Sequence, residues 1–105
     1  WNNGWDKTSW GWGAGILVSS AANAQVYNNI VAWNPDGISI ISQNRSDDPS
    51  NAGTGMSVHD NTIIQQPMSS DTSDKMMLGW LQDWSGLMFN SGSNNSGANN
   101  KYWHS

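Results

Sequence analysis

Four aspartates stand in polar stretches where their carboxylates could bind a cation: Asp47, Asp48, Asp71 and Asp74. The first two lie in residues 44–54 and the other two in residues 67–75, and both stretches are interpreted as loops between apolar segments. Carboxylate and amide oxygens are the ligands that Ca²⁺ prefers, so calcium could bind if both loops leave the same side of the fold. The spacing matches no EF-hand, and the alternative is a pair of solvated acidic loops.

The first of these loops also contains the residues that could break a polysaccharide chain. Arg45 is the only arginine, and it stands just before Asp47 and Asp48. Two carboxylates can cleave a glycosidic bond as acid and as base or nucleophile, and a basic side chain beside a cation can take the proton next to a uronate carboxylate. Arg45, Asp47 and Asp48 are therefore the candidate catalytic residues. The alternative is that Arg45 pairs with a neighbouring aspartate and orders the loop.

Tryptophan is the other residue type with a chemical use, because the chain has eight in 105 residues. Trp5, Trp10 and Trp12 crowd the N-terminal stretch, where flat indole faces could stack on sugar rings and the indole N–H groups could bond at a wet surface. These three are the candidate carbohydrate-binding residues. The alternative is structural, with the tryptophans covering an end or a flank of the core.

Histidine gives a weaker signal. His59 is predicted to point outward beside Asp60 and is interpreted as a surface residue, and His104 is far from it in sequence. With two distant histidines and no cysteine, the ligand spacing of a zinc site is absent. The chain also has no Gly-x-Ser-x-Gly, phosphate-loop or dinucleotide pattern.

The composition limits the class of protein. The formal net charge is −4, which disfavours a polyanionic nucleic acid as partner. Asparagine, serine and glycine are abundant and favour turns over helix interiors, which excludes a helical bundle. The longest apolar run is four residues, residues 30–33, so no membrane-spanning helix is expected. The polar, tryptophan-rich composition favours an extracellular or cell-surface protein.

The elements that would position these side chains follow from an internal repeat. Residues 15–20 (GILVSS) recur 22 positions later as residues 37–42 (GISIIS), and residues 24–34 recur 32 positions later as residues 56–66. Short alternating strands at such a period are typical of a solenoid. The predicted inward residues are Ile16, Val18, Val26, Val31, Ile38, Ile40, Val58 and Ile63. Leu17 is predicted to point outward.

Asparagines mark the sharp corners of this repeat. Asn29 and Asn61 stand between two predicted strands, where left-handed backbone geometry is needed and asparagine tolerates it. Stacked in successive coils, the two side chains could form an amide ladder.

The C-terminal part is less regular. Pairing Ile38 and Ile40 with Met76 and Leu78 predicts the next strand at an offset of 38. Residues 86–90 (GLMFN) are predicted to form a further strand, and residues 91–100 (SGSNNSGANN) to form a turn or flexible loop. Residues 101–104 (KYWH) are predicted to begin another strand.

The repeat resembles a known architecture. Gly-Ile-x-Val-x-Ser, Asn-x-x-Val, Asn-Asn-x-Val-x-x-Asn and Asp-Gly-Ile follow one another in residues 15–38, and the pattern is similar to the right-handed parallel β-helix repeats of the pectate-lyase-like superfamily. The resemblance covers residues 13–66. It implies an all-β, right-handed parallel β-helix, a solenoid of about three to four coils with long outer loops. None of the family's catalytic motifs is present, so the resemblance transfers no catalytic residue.

One partial domain is therefore expected over residues 1–105, with a Trp-rich entry loop (1–14), clear coils (15–66) and less regular coils and loops (67–105). The leading hypothesis is a segment of an extracellular β-helix protein that contacts polysaccharide and has no demonstrable active site of its own. The alternatives are a polysaccharide lyase or glycoside hydrolase, and a structural fibre or adhesin segment. No cofactor is required, although calcium could bind. Further β-helix coils, from the same or another chain, are the expected protein partner.

Overall fold

The computed structural model describes residues 9–43, 53–65, 76–82 and 86–104, and the chain is all-β in these ranges. Nine short strands carry most of the regular structure. They are Ala14–Ser19 (β1), Gln25–Tyr27 (β2), Ile30–Ala32 (β3), Asp36–Ser42 (β4), Ser57–His59 (β5), Thr62–Gln65 (β6), Leu78–Gln82 (β7), Ser96–Ala98 (β8) and Lys101–His104 (β9). Two single 3₁₀ turns, Ser9–Gly11 and Leu87–Phe89, accompany them.

The strands form three parallel sheets of three strands each. The first sheet has the order β1-β4-β7, the second β2-β5-β8 and the third β3-β6-β9. Each strand therefore pairs with the third strand after it, and consecutive strands belong to different sheets. We call β1–β3 the first layer, β4–β6 the second and β7–β9 the third.

The pairing register follows the repeats in the sequence. Ile16 lies beside Ile38 in the first sheet, and Val26 lies beside Val58 in the second. These are the offsets of 22 and 32 that the sequence predicts. Because side chains alternate between the two faces of a strand, the matched register stacks apolar residues on apolar residues along the inside.

The hydrophobic core lies between the three sheets. Its buried residues are Val26, Val31, Ile38, Ile40, Met56, Val58, Ile63 and Met88. Ile16 and Val18 in the first layer and Trp80 in the third are partly buried and pack against it. The predicted inward positions are therefore confirmed, and Leu17, predicted to point outward, is exposed.

An amide ladder connects the three layers at the corner between the second and third sheets. Asn61 Oδ1 accepts hydrogen bonds from Asn29 N (3.1 Å) and Asn29 Nδ2 (2.9 Å). Asn100 Oδ1 accepts the same pair from Asn61, at 3.1 Å and 3.0 Å. Asn61 Nδ2 also donates to Val26 O, and Asn100 Nδ2 donates to Val58 O, both at 2.9 Å. The ladder that the sequence predicts thus exists, with Asn100 as a third member.

The left-handed residue at this corner is one position earlier than predicted. Asn28, Asp60 and Asn99 have φ values of 56°, 55° and 56°, whereas Asn29 and Asn61 do not have positive φ. The first residue of each pair makes the turn, and this directs the side chain of the second residue into the ladder. The first position needs a residue that tolerates the left-handed conformation, and the second needs a side-chain amide for the hydrogen bonds of the ladder.

The register of β7 corrects the predicted offset of 38. Ile38 lies beside Leu78 and Ile40 beside Trp80, an offset of 40. Asp36 is fully buried, and its Oδ1 accepts a hydrogen bond from Met76 N at 3.1 Å, while Gly37 N donates to Met76 O at 2.8 Å. These bonds hold Met76 at the entrance to the sheet, one inward position before the predicted one.

Two predictions for the C-terminal part are wrong. Residues 86–90 contain the 3₁₀ turn Leu87–Phe89 and no strand, because Gly86 takes a left-handed conformation (φ 72°) and only Met88 of the turn is buried. Residues 91–100, predicted as turn or loop, contain strand β8. The strand predicted at residues 101–104 is confirmed as β9.

We expect substitution of Asn61, the central member of the ladder, to lower the stability of the fold substantially. Asn61→Ala would leave the N–H of Asn29 and the carbonyl of Val26 without their partners in a buried corner. The free energy of unfolding should fall by at least about 2 kcal/mol, since each buried polar group left unsatisfied costs about 1–3 kcal/mol. Urea unfolding followed by tryptophan fluorescence measures this loss. Asn90→Ala, at an exposed asparagine, is the control and should change stability little; equal losses in the two variants would contradict the assignment.

We expect two substitutions of Asn28, at the left-handed corner position, to change the stability in opposite directions. Asn28→Gly should keep or raise the stability, because glycine adopts φ near 56° without strain. Asn28→Val should lower it by about 1–2 kcal/mol, since a β-branched residue is strained there. Thermal unfolding of both variants checks this. Gln25→Val, at an exposed strand position, should be nearly neutral, and a loss there as large as in Asn28→Val would show that the corner is not the cause.

Candidate functional site

Most of the candidate residues from the sequence lie outside the described part of the chain: Trp5, Arg45, Asp47, Asp48, Asp71 and Asp74. The calcium site and the catalytic set therefore stay predictions. Within the described ranges, no group of three or more His, Cys, Asp or Glu side chains is placed to hold a metal ion. Those ranges also contain no helix with the length and apolar character needed to cross a bilayer.

Trp10 and Trp12 are brought together beside the first sheet. Their ring centroids are 6.1 Å apart with an interplanar angle of 45°, and both side chains are partly buried. The 3₁₀ turn that contains Trp10 packs on β4 and β7. Gly11 lies so close that a Cβ atom there would be 2.9 Å from Ser39 Oγ. The segment covers the outer face of β4, so this geometry favours the structural reading of these two tryptophans.

The outer face of the second sheet carries a different arrangement. Because the strands are in register, its outward side chains form two rows that cross the layers. One row contains Gln25, Ser57 and Ser96, and the other contains Tyr27, His59 and Ala98. The corner residues Asn28, Asp60 and Asn99 border the second row.

Two aromatic rings are stacked in the second row. The Tyr27 and His59 ring centroids are 5.2 Å apart, and their planes differ by 3°. His59 Nδ1 donates a hydrogen bond to Asp60 Oδ2 at 2.7 Å, which fixes the orientation of the imidazole. The Tyr27 residue is 50% exposed, and the side chains of His59 and Asp60 are 32% and 49% exposed. The rings are therefore held in place while remaining accessible to a ligand.

The ring stack ends above a small residue. The next position in this row is Ala98, whose methyl group is too small to cover the second face of His59. Ser96 and Ser57 lie beside this space with their hydroxyl oxygens 3.5 Å apart, and exposed Asn99 and Asp60 border its other side. We call this space, bounded by His59, Ala98, Asp60, Asn99 and Ser96, the His59 slot. One flat ring face and several hydrogen-bonding groups thus converge on a single exposed position.

From the sequence, His59 was predicted to be a surface residue without a binding role. The signal that it missed was the repeat offset of 32, which aligns Tyr27 with His59 and so predicts two rings in one row. Ala98 could not be added to that row from the sequence, because residues 91–100 were interpreted as a loop.

A concave surface lies at the third-layer end. A cavity of about 500 Å³ is lined by Trp80, Met88, Phe89 and a stretch of small polar residues that ends at Gly97. Gly97 occupies the row in which Val26 and Val58 fill the core in the other two layers. The missing side chain leaves part of the inside of the third layer open, and Tyr102, also at an inward position, is 49% exposed.

The packing of the tryptophan segment can be tested at Gly11. Gly11→Ala adds a Cβ atom 2.8 Å from Leu81 Cδ1, at a residue with φ of +76°. We expect the segment to move off the sheet, with a loss of at least about 1 kcal/mol in the free energy of unfolding and a red shift of tryptophan emission. Gly92→Ala is the control, since its nearest contact would be an ordinary 3.5 Å. Unchanged emission and stability in Gly11→Ala would contradict the covering role.

Comparison of the chain with protein-family models, with curated proteins and with solved structures finds no significant match. The function is therefore inferred from the residues and contacts described above.

Proposed function

We propose that this chain is a segment of a right-handed parallel β-helix that binds polysaccharide at an extracellular or cell surface. Three features support the architecture: the pairing of each strand with the third strand after it, the apolar residues stacked between the three sheets, and the asparagine ladder at one corner. The three layers correspond to three coils of such a helix.

The observation that carries the binding proposal is the ring stack of Tyr27 and His59, which ends above Ala98. A pyranose ring has an apolar face of C–H groups that packs on a flat aromatic face, and the His59 slot offers such a face with room beside it. The Asp60 hydrogen bond keeps the imidazole in the orientation that presents this face. The ring face is therefore organised before a sugar arrives, which lowers the entropy cost of binding.

The polar groups around the slot suit hydroxyl ligands. Asp60 has a carboxylate that accepts hydrogen bonds from sugar hydroxyls, and the amide of Asn99 both donates and accepts. The Ser96 hydroxyl lies on the opposite side of the slot. Because these groups are exposed, each hydrogen bond to a sugar replaces one to water and adds modest affinity. We therefore expect weak binding at each sugar and useful affinity only where several sugars of a polymer contact the surface.

Removing the ring tests the proposal. We expect His59→Ala to weaken oligosaccharide binding by about tenfold, which corresponds to about 1.4 kcal/mol, because the stacking face is lost. Isothermal titration calorimetry with a panel of neutral and uronate oligosaccharides measures the affinity. Trp103→Ala, at a ring that is 63% exposed on β9 of the third sheet and not on the second sheet that carries the slot, is the matched control and should bind as the unmodified chain does.

A second variant fills the slot without removing a ring. Ala98→Tyr would extend the row from two rings to three and occupy the space where the sugar is proposed to bind, so binding should be lost while the fold is kept. Circular dichroism verifies the fold. Failure of every oligosaccharide in the panel to bind, or unchanged binding in both His59→Ala and Ala98→Tyr, would overturn the proposal.

A further inference from the structure

The asparagine ladder ends in complementary groups. Within the described residues, Asn29 Oδ1 accepts no hydrogen bond, although the same atom of Asn61 and of Asn100 accepts two. At the other end, Asn61 donates its N–H and an amide hydrogen to the next layer, and the corresponding two donors of Asn100 have no acceptor among the described residues. The first layer therefore has an unused hydrogen-bond acceptor, and the third layer has the unused donors that would match it.

The strand edges are complementary in the same way. In the part of the chain that the structure describes, β1, β2 and β3 each have a partner on one side, and β7, β8 and β9 each have a partner on the opposite side. Unpaired strand edges are a ready template for another strand. Three edges at each end are arranged in the same order, so three strands can pair at once with the parallel register that joins the layers within the chain.

The apolar surfaces at the two ends also differ. The third-layer end has the cavity at Gly97 and the half-exposed Tyr102. At the first-layer end, Val26 and Val31 occupy the equivalent rows with side chains that are only 7% and 5% exposed. A layer placed on the third would cover Gly97 and Tyr102, which removes apolar surface of the third layer from water, whereas Val26 and Val31 have little exposed surface left to bury.

From this complementarity we infer that a second copy of this chain stacks head to tail, its first layer on the third layer of its neighbour. The Asn100 N–H and amide of one copy donate to Asn29 Oδ1 of the next, Val26 lies over Gly97, and Val31 lies over Tyr102. Contact between two third-layer ends is disfavoured, because it opposes the donors of one Asn100 to those of another. This inference concerns the two ends of the layer stack; because it places Tyr27 of one copy beside Ala98 of the next, at the border of the His59 slot, its tests measure association and not sugar binding.

Self-association is tested first. We expect sedimentation velocity of the 105-residue chain to show species larger than a monomer, growing with protein concentration. Tyr102→Lys places a charge between the two layers and should weaken association at least tenfold, because the ammonium loses its hydration. Trp103→Lys is the matched control: it makes a similar change on the adjacent β9 residue, which points to the outer face, and should associate as the unmodified chain does. A monomer up to about 100 μM, or equal association in both variants, overturns the inference.

Engineered cysteines test the register. The chain has no cysteine, so every disulfide formed would join two engineered positions, and the mixed dimer can be distinguished from dimers of one variant by mass. Head-to-tail stacking puts Gln25 of one copy beside Ser96 of the next, within the Cα distance of about 4.4–6.8 Å that a disulfide needs. A mixture of Gln25→Cys and Ser96→Cys chains should form a mixed disulfide dimer under mild oxidation, and a mixture of Gln25→Cys and Trp103→Cys should not. Equal yields from the two mixtures, or no mixed dimer from the first, contradict the stacking.

Discussion

The asparagine ladder at the corner between the second and third sheets is the contact on which the register of the whole structure depends. Backbone hydrogen bonds between parallel strands would also form with the strands shifted, but a shift by one residue would turn the core side chains outward. A shift by two would remove Asn61 from between Asn29 and Asn100 and leave buried polar groups unpaired. The ladder therefore penalises the register errors that alternation alone does not.

The ladder matters because each layer is small. The second and third sheets contribute strands of only three or four residues per layer, so one layer places few apolar side chains in the core. Because each strand pairs only with strands of the adjoining layers, we expect the stability to be close to a sum of layer and interface terms. The Asp36 side chain makes an equivalent polar contact at the first sheet, to Met76 N, and holds the third layer where the chain re-enters that sheet. Polar corner contacts thus specify the arrangement, and the apolar interior supplies most of the stabilisation.

The features that recur in the internal repeat could be predicted from the sequence. Val26 and Val58, and Asn29 and Asn61, lie in equivalent contexts 32 residues apart, so strands, inward faces and ladder could be predicted from them. Strand β8 could not, because Gly97 replaces the valine that would have marked it and its neighbours are asparagines and serines. The third ladder member was missed for the same reason. The His59 slot depends on the lateral neighbour of a side chain, which the sequence of a single strand does not contain.

The spacing between equivalent strands has a consequence for how such a surface can diversify. Neighbouring strands in the first sheet are separated by 22 positions and then by 40, yet their pairing is equally regular. The extra residues fall in the connections between β4 and β5 and between β6 and β7, which join strands of different sheets, and lengthening a connection adds little entropy cost. The connections between sheets can therefore differ in length by many residues without any change in the residues that fill the core.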